Sequence, residues 1–274
     1  MADAHRRILP GFRLSLSLTL GYLALLVMVP LAACFFKVSS LSFEEFWRAV
    51  WTPQARSAYM LTYGASLAAA VADTLLGLLI AWVMVRYEFP FKKVFDSLID
   101  LPFALPTAVA GLVYSSLYVK NGWFGQYLVP LGIQGAYSRL GIVLVLTFIG
   151  LPFVVRTVEP VLESLEAELE EAAACLGANR WQTFTRVIFP PLVPALLTGF
   201  ALSVARGIGE YGSVIFISSN KPFETEIAPL LIVHKIEEGA YPEATAIAVV
   251  LLASSFILLG IINTLERRSQ RHAG

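Results

Sequence analysis

The 274-residue chain is 57% hydrophobic and only 15% charged, and its 20 basic and 20 acidic residues cancel. Soluble domains carry about 25% charged residues, so this composition excludes an ordinary soluble domain, and the zero net charge leaves no footprint for nucleic acid. His5, His234 and His272 are too scattered to hold a metal, and Cys34 and Cys175 are expected on opposite sides of a membrane, which argues against a disulfide.

Residues 1 to 13 carry Arg6, Arg7 and Arg13, and Leu14 to Phe36 is then an uncharged run of membrane-spanning length. Its Leu31-Ala32-Ala33-Cys34 stretch is similar to a lipoprotein processing box. The apolar run exceeds the roughly 7–15 residues of a signal peptide, so it reads as a retained helix. Lys37 to Met60, with Phe43, Phe46, Trp47 and Trp51, reads as an amphipathic loop at the outer interface, where aromatic rings settle. Leu61 to Val85 is a second span. It contains Asp73, which must face the bundle interior and serves either a pathway or a helix-packing hydrogen bond.

A short basic loop, Arg86 to Asp96, leads into a third span, Leu98 to Val119, interrupted by Pro102 and Pro106 just before Thr107. Each proline deletes a backbone donor. The break either aims free N–H groups at an anion or kinks the helix for packing, and Asp100 is expected near its cytosolic end. Lys120 to Arg139 is a turn-rich outer loop and Leu140 to Val155 the next span; the last two lie within Pro191 to Ser218 and Gly239 to Leu265. With about 12 Lys and Arg assigned inside against about 7 outside, the positive-inside rule expects roughly six helices and both termini in the cytosol.

The segment Glu170 to Pro190 is a polar island between these runs. Leu162, Leu165, Leu169, Ala172, Ala173 and Leu176 recur at helical spacing, so one continuous helix is expected up to Gly177, which takes the left-handed turn. Asn179 is then an N-cap for a second short helix with Trp181, Phe184 and Ile188 on one face, ended by Pro190. Such an element is either a loop folded on its own membrane domain or a docking element for a second protein. A second unusual stretch is Ser203 to Gly212, where Arg206 and Glu210 lie four apart inside a span. They read as a pathway or gate pair, or as a structural ion pair. On the first reading, Arg206→Ala assembles but does not transport.

Glu171-Ala172-Ala173, three residues, Gly177, nine residues and Val187-Ile188-Phe189-Pro190 resemble the EAA loop of bacterial ABC-importer permeases. Ile8 to Phe12, Asp100 to Gly111, Leu151 to Val158 and Arg206 to Gly212 extend the resemblance to the sulfate/thiosulfate permease family of T type (CysT) over nearly the whole chain. The resemblance implies an all-α polytopic bundle of about six transmembrane helices with a cytosolic coupling helix, the type I ABC importer permease fold. An N-terminal helix and periplasmic loop (1–60) would precede a core permease domain (61–265, coupling loop 160–190) and a cytosolic tail (266–274).

It further implies that Glu171, Ala172, Ala173, Leu176, Gly177, Ala178, Arg180 and Trp181 contact an ATPase subunit. Arg206, Glu210, Pro102, Pro106, Thr107 and Asp73 are the candidates for the pathway or a gate. The chain has no phosphate-binding Gly-x-x-x-x-Gly-Lys loop, so no enzymatic activity or cofactor of its own is expected. ATP and Mg would sit in a partner ATPase dimer, beside a second permease of W type and a periplasmic sulfate/thiosulfate-binding protein, at the bacterial inner membrane. A molybdate or tungstate permease is the near alternative. A self-sufficient secondary transporter would lack a use for the docking loop, and an intramembrane enzyme would need a nucleophile-base or metal constellation that the spans do not offer.

Overall fold

The computed structural model describes residues 12–273, so the Ile8 to Gly11 part of the family motif and Arg6 and Arg7 lie outside the described residues. In chain order the principal helices are α1 (Leu14–Ser39), α2 (Phe43–Val50), α3 (Pro53–Arg86), α4 (Lys92–Ile99), α5 (Leu101–Ala104), α6 (Thr107–Tyr118), α7 (Arg139–Ser164), α8 (Ala167–Cys175), α9 (Arg180–Ile208), α10 (Ala228–Glu237) and α11 (Tyr241–Ala273). Among the described residues, α1, α3, α7, α9 and the Tyr241–Ile262 part of α11 are long and apolar enough to cross a membrane.

The expected third span is present in pieces. Leu105 and Pro106 are extended, with ψ of 135° and 132°. The 12 residues of α6 cover only about 18 Å of a roughly 30 Å hydrocarbon core. The prolines therefore break the helix rather than bend it.

The core is the mutual packing of α3, α7 and α9. The buried face of α3 is built largely of Ala58, Ala65, Ala69, Ala70 and Ala81. Small side chains let the neighbouring backbones come close, which is how helices associate where lipid supplies no hydrophobic drive. α7 contributes Ile142, Val145 and Ile149 to one cluster and Val154, Val155 and Val158 to another, where Leu192 and Leu196 of α9 meet them. By contrast, no residue in the spanning window of α1 is buried; α1 lies against α11 at the edge.

Several expected boundaries move. The supposed loop Lys37 to Met60 contains α2 and the first two turns of α3. Thr52 caps α3 by accepting from the Ala55 N–H at 3.0 Å, with Pro53 in the first turn, where its missing donor is harmless. α2 is closed by a Ser42–Glu45 capping box. The Glu45 carboxylate accepts from the Ser42 backbone N–H and hydroxyl, which holds its pKa below the ordinary carboxylate range.

α7 runs through Pro152 and Pro160 to Ser164, nine residues past the expected end. Pro190 does not end the helix before it either. A π-helical stretch at Phe184–Ile188 widens the backbone just ahead of Pro190, and the helix continues to Ile208.

Lys221 to Tyr241, between the last two spans, contains α10 and a buried carboxylate. Glu226 accepts from Gln54 Nε2 at 2.8 Å and pairs with His234 Nδ1 at 2.8 Å, its side chain 1% exposed. Glu224, Glu237 and Glu238 are exposed.

Candidate coupling and translocation sites

α8 begins where Leu165 turns extended, at ψ 115°, so Leu162 and Leu169 belong to different helices and the single continuous helix expected there is two. Glu168 and Glu170 in the first turn of α8 suit its positive N-terminal end.

Gly177, at φ +82°, closes α8. The Ala178 N–H reaches the Ala173 carbonyl at 3.0 Å and the Gly177 N–H the Ala174 carbonyl at 2.9 Å. These are the two bonds of a Schellman turn, which needs a left-handed residue at that position. Two residues on, Asn179 and Gln182 cap α9 reciprocally, with both backbone-to-side-chain bonds at 2.9 Å. The elbow between α8 and α9 is thus fixed at both edges by hydrogen bonds local to it.

The outward face of this elbow is apolar and uncovered. Leu176 is 89% exposed and Trp181 72%, and Glu171, Ala172, Gly177 and Arg180 are exposed around them. Ala178 is half-buried, whereas Ala173 is 9% exposed and faces the chain's own interior. The expected contact face therefore divides, with Ala173 small for internal packing.

Behind the elbow, Arg86 at the end of α3 pairs with Glu170 at 2.5 Å while lying over the Trp82 ring. Phe184 meets Trp82, Trp181 and Phe189 with ring centroids 5.7–5.9 Å apart. One ion pair and one aromatic cluster therefore tie the exposed elbow to α3 and α9.

The pathway candidates fall into two neighbouring groups. Asp73 is fully buried between α3, α7 and α9, where the Ser203 hydroxyl donates to Asp73 Oδ2 at 2.5 Å. A side chain at Gly150 of α7 would collide with that carboxylate and with Ser203. The contact joins α3 to α9 through one carboxylate oxygen, while Asp73 Oδ1 is buried with no hydrogen-bond partner among the described residues.

Arg206 pairs with Glu210 at 2.5 Å. They do not share a helix face, because α9 stops at Ile208 and Glu210 lies beyond it. Glu210 is 2% exposed and also accepts from the Ser213 N–H and hydroxyl, both at 2.9 Å. A carboxylate satisfied on both sides cancels most of the field of Arg206. Thr107 of α6 lies against Gly212, so the proline break and the Arg206–Glu210 turn, far apart in sequence, adjoin each other. Pro102 and Pro106 shape that break without a polar side chain, although the Pro106 carbonyl accepts from the Val109 and Ala110 N–H groups.

Sequence reasoning missed the network around Arg156. Its guanidinium grips Asp100 with two bonds, at 2.9 and 2.6 Å, and also reaches Asp96 at 2.7 Å and Glu159 at 2.8 Å. This clamps the α4–α5 break to α7. The only signal in the sequence was an arginine within the Leu151 to Val158 motif together with the acid at Asp100; their pairing needs the fold.

A family model described as "Binding-protein-dependent transport system inner membrane component" matches residues 73–271. The chain belongs to that family. As a member of it, this is a multi-pass membrane permease component of an ABC importer rather than a soluble or self-standing domain.

Among its relatives, "Sulfate transport system permease protein CysT" of Synechocystis sp. is 52% identical over 255 residues, covering 93% of this chain and 89% of that one. The protein of the same name from Escherichia coli is 46% identical, covering 98% of both. Among solved structures, a chain of a bacterial ABC transporter that imports the acidic polysaccharide alginate superposes with a TM-score of 0.77 at 19% identity, covering 93% of this chain and 94% of that one. A chain of an amino acid ABC transporter superposes at 0.56. At such identities these two speak for the fold alone, the type I importer permease fold.

Proposed function

We propose that the chain forms half of the membrane passage of an ATP-driven importer for sulfate or thiosulfate. The observation that carries this reading is the 46–52% identity, over nearly the full length, to proteins named as sulfate permeases. The other half of the passage is a W-type permease. A periplasmic sulfate/thiosulfate-binding protein delivers the anion, and a pair of ATPase subunits holds ATP and Mg. Both termini and the α8–α9 elbow lie in the cytosol.

The geometry supports a mechanical role. The exposed Leu176 and Trp181 seat in an ATPase groove, with Glu171, Ala172, Gly177 and Arg180 around them. Movement of the ATPases displaces α8, and the Arg86–Glu170 pair and the Phe184 cluster carry that displacement into α3 and α9. Those helices also bear Asp73, Ser203 and Arg206, so a force applied at the elbow repacks the region beside the Thr107 break. The elbow has the features of a handle: rigid local caps, an apolar outer face and few ties to the bundle.

The test is reconstitution of the chain into liposomes with its W-type partner, the ATPases and the binding protein. Sulfate uptake is expected only with ATP and all partners present. Uptake by this chain alone, or a complex that moves molybdate but not sulfate, overturns the reading.

A further inference from the structure

Arg206, the cation that the sequence singles out as an anion waypoint, is neutralised by Glu210. Two other arginines are not neutralised, and they line one groove. It measures about 720 Å³ and is walled by Arg56, Ser57, Met60 and Leu61 of α3 and by Arg139 and Val143 of α7. Arg56 lies over the Trp51 ring, 5.8 Å from its centroid, and pairs with no carboxylate among the described residues. Arg139 donates from Nε to the Glu224 carbonyl at 2.8 Å and from Nη2 to the Phe223 carbonyl at 3.0 Å. Both acceptors are neutral, so its charge is uncompensated and Nη1 is still free to donate. The Glu224 carboxylate instead faces Lys221, 3.8 Å away.

The helix ends add to this charge. α3 and α7 both run from the groove toward the elbow, since Arg86 at the far end of α3 meets Glu170 and Ser164 at the end of α7 precedes α8. Their capped N-termini, at Thr52 and Ser138, therefore both present the positive end of a macrodipole at this end of the bundle. Two guanidinium groups without counter-charges, two helix N-termini and a low-dielectric apolar wall make a positive potential open to the aqueous side.

We propose that this groove is a binding station for a tetrahedral oxyanion on the side of the membrane opposite the elbow. It would be held by Arg56 and Arg139 before it enters the passage. The inference rests on the oxyanion reading above and names the residues that serve it. A free transported anion is favoured over an acidic patch on a delivering protein because the two arginines, themselves exposed, flank a single groove whose walls include Ser57, Met60 and Val143.

The experiment uses the two permeases with their ATPases in nanodiscs of neutral lipid, before any binding protein is added, with radiolabelled sulfate as the probe. Arg56→Gln is the informative variant, because Arg56 holds only an aromatic ring, whereas Arg139→Gln also frees the Phe223–Glu224 turn. Arg56→Gln is expected to weaken sulfate binding about tenfold, an effect equivalent to ~1.4 kcal/mol, with complex yield and thermal unfolding midpoint unchanged. Arg56→Lys and Arg139→Lys should keep part of the affinity, and Met60→Ala should keep all of it.

Wild-type affinity in Arg56→Gln overturns the inference. So does an effect seen only in discs containing phosphatidylglycerol, which would assign the groove to a lipid headgroup. A change only in the amount of binding protein needed to stimulate ATP hydrolysis by the same discs would overturn it as well, by assigning the arginines to docking. A wild-type complex that transports no sulfate would instead count against the function proposed above.

Discussion

At the centre of the bundle Asp73 accepts from Ser203 through Oδ2 alone, and Gly150 leaves room for its carboxylate. A Cβ at position 150 would have to displace the carboxylate or separate α7 from α3. Gly150→Ala should therefore cost about 1–3 kcal/mol, the range for overpacking, read as a lowered thermal midpoint of the purified complex. Arg156 makes a milder case, since Asp96 and Asp100 are about half exposed and solvent screens the network. Arg156→Ala should lose about 1 kcal/mol, with Arg156→Lys falling between because an ammonium cannot grip Asp100 with two parallel bonds.

Glu45 at the α2 cap gives a sign that can be checked. Its pKa is lowered in the folded chain, so its contribution is present above the ordinary carboxylate range and is lost as pH falls through the lowered folded value. Hydrogen exchange in α2 should rise toward low pH, and Glu45→Gln should flatten that dependence.

At the scale of the element, the elbow has an inner and an outer face with different tasks. Leu176→Ala or Trp181→Ala should weaken association with the ATPase subunit by about tenfold or more, as loss of an exposed anchor does, while leaving the elbow folded. Ala173→Arg forces a long cation into the chain's own packing, so it should also expose the elbow to protease; retained protection alongside lost association would move Ala173 to the outer face. The link behind the elbow is partly buried, with Arg86 24% and Glu170 32% exposed, unlike the Glu44–Arg48 pair at 75% and 77%, which should contribute little. A double-mutant cycle on Arg86 and Glu170, read by stimulation of ATP hydrolysis by loaded binding protein, should give a non-zero coupling of about 0.5–3 kcal/mol. Additive effects would remove that pair from the transmission route.

Across the whole molecule, Arg206 and Glu210 close the end of α9 against the turn that receives α6. Because Glu210 is 2% exposed, Arg206→Ala leaves a buried carboxylate held only by Ser213. Assembly itself should suffer, in contrast to the expectation from sequence, by about 1–3 kcal/mol for leaving a buried acceptor unsatisfied. An Arg206→Ala/Glu210→Gln chain should recover assembly. Sulfate uptake by that double variant would establish the pair as structural, and assembly without uptake would return it to the pathway.

The helical class, most of the spans, the break at Pro102 and Pro106, the Gly177 turn and the Asn179 cap could all be read from the residues, because each rests on spacing or backbone chemistry within a few neighbours. Pro190 misled because a π-helical stretch upstream relieved the clash its ring would otherwise cause, and Leu165 misled because an apolar period can persist across a break. Which charges are cancelled was decided only by tertiary structure. Arg156 meets Asp100 across 56 residues, His234 meets a buried Glu226, and Arg56 and Arg139 come together without a carboxylate between them. Pairing across a bundle depends on helix rotation and close approach, and neither is encoded in any local stretch of chain.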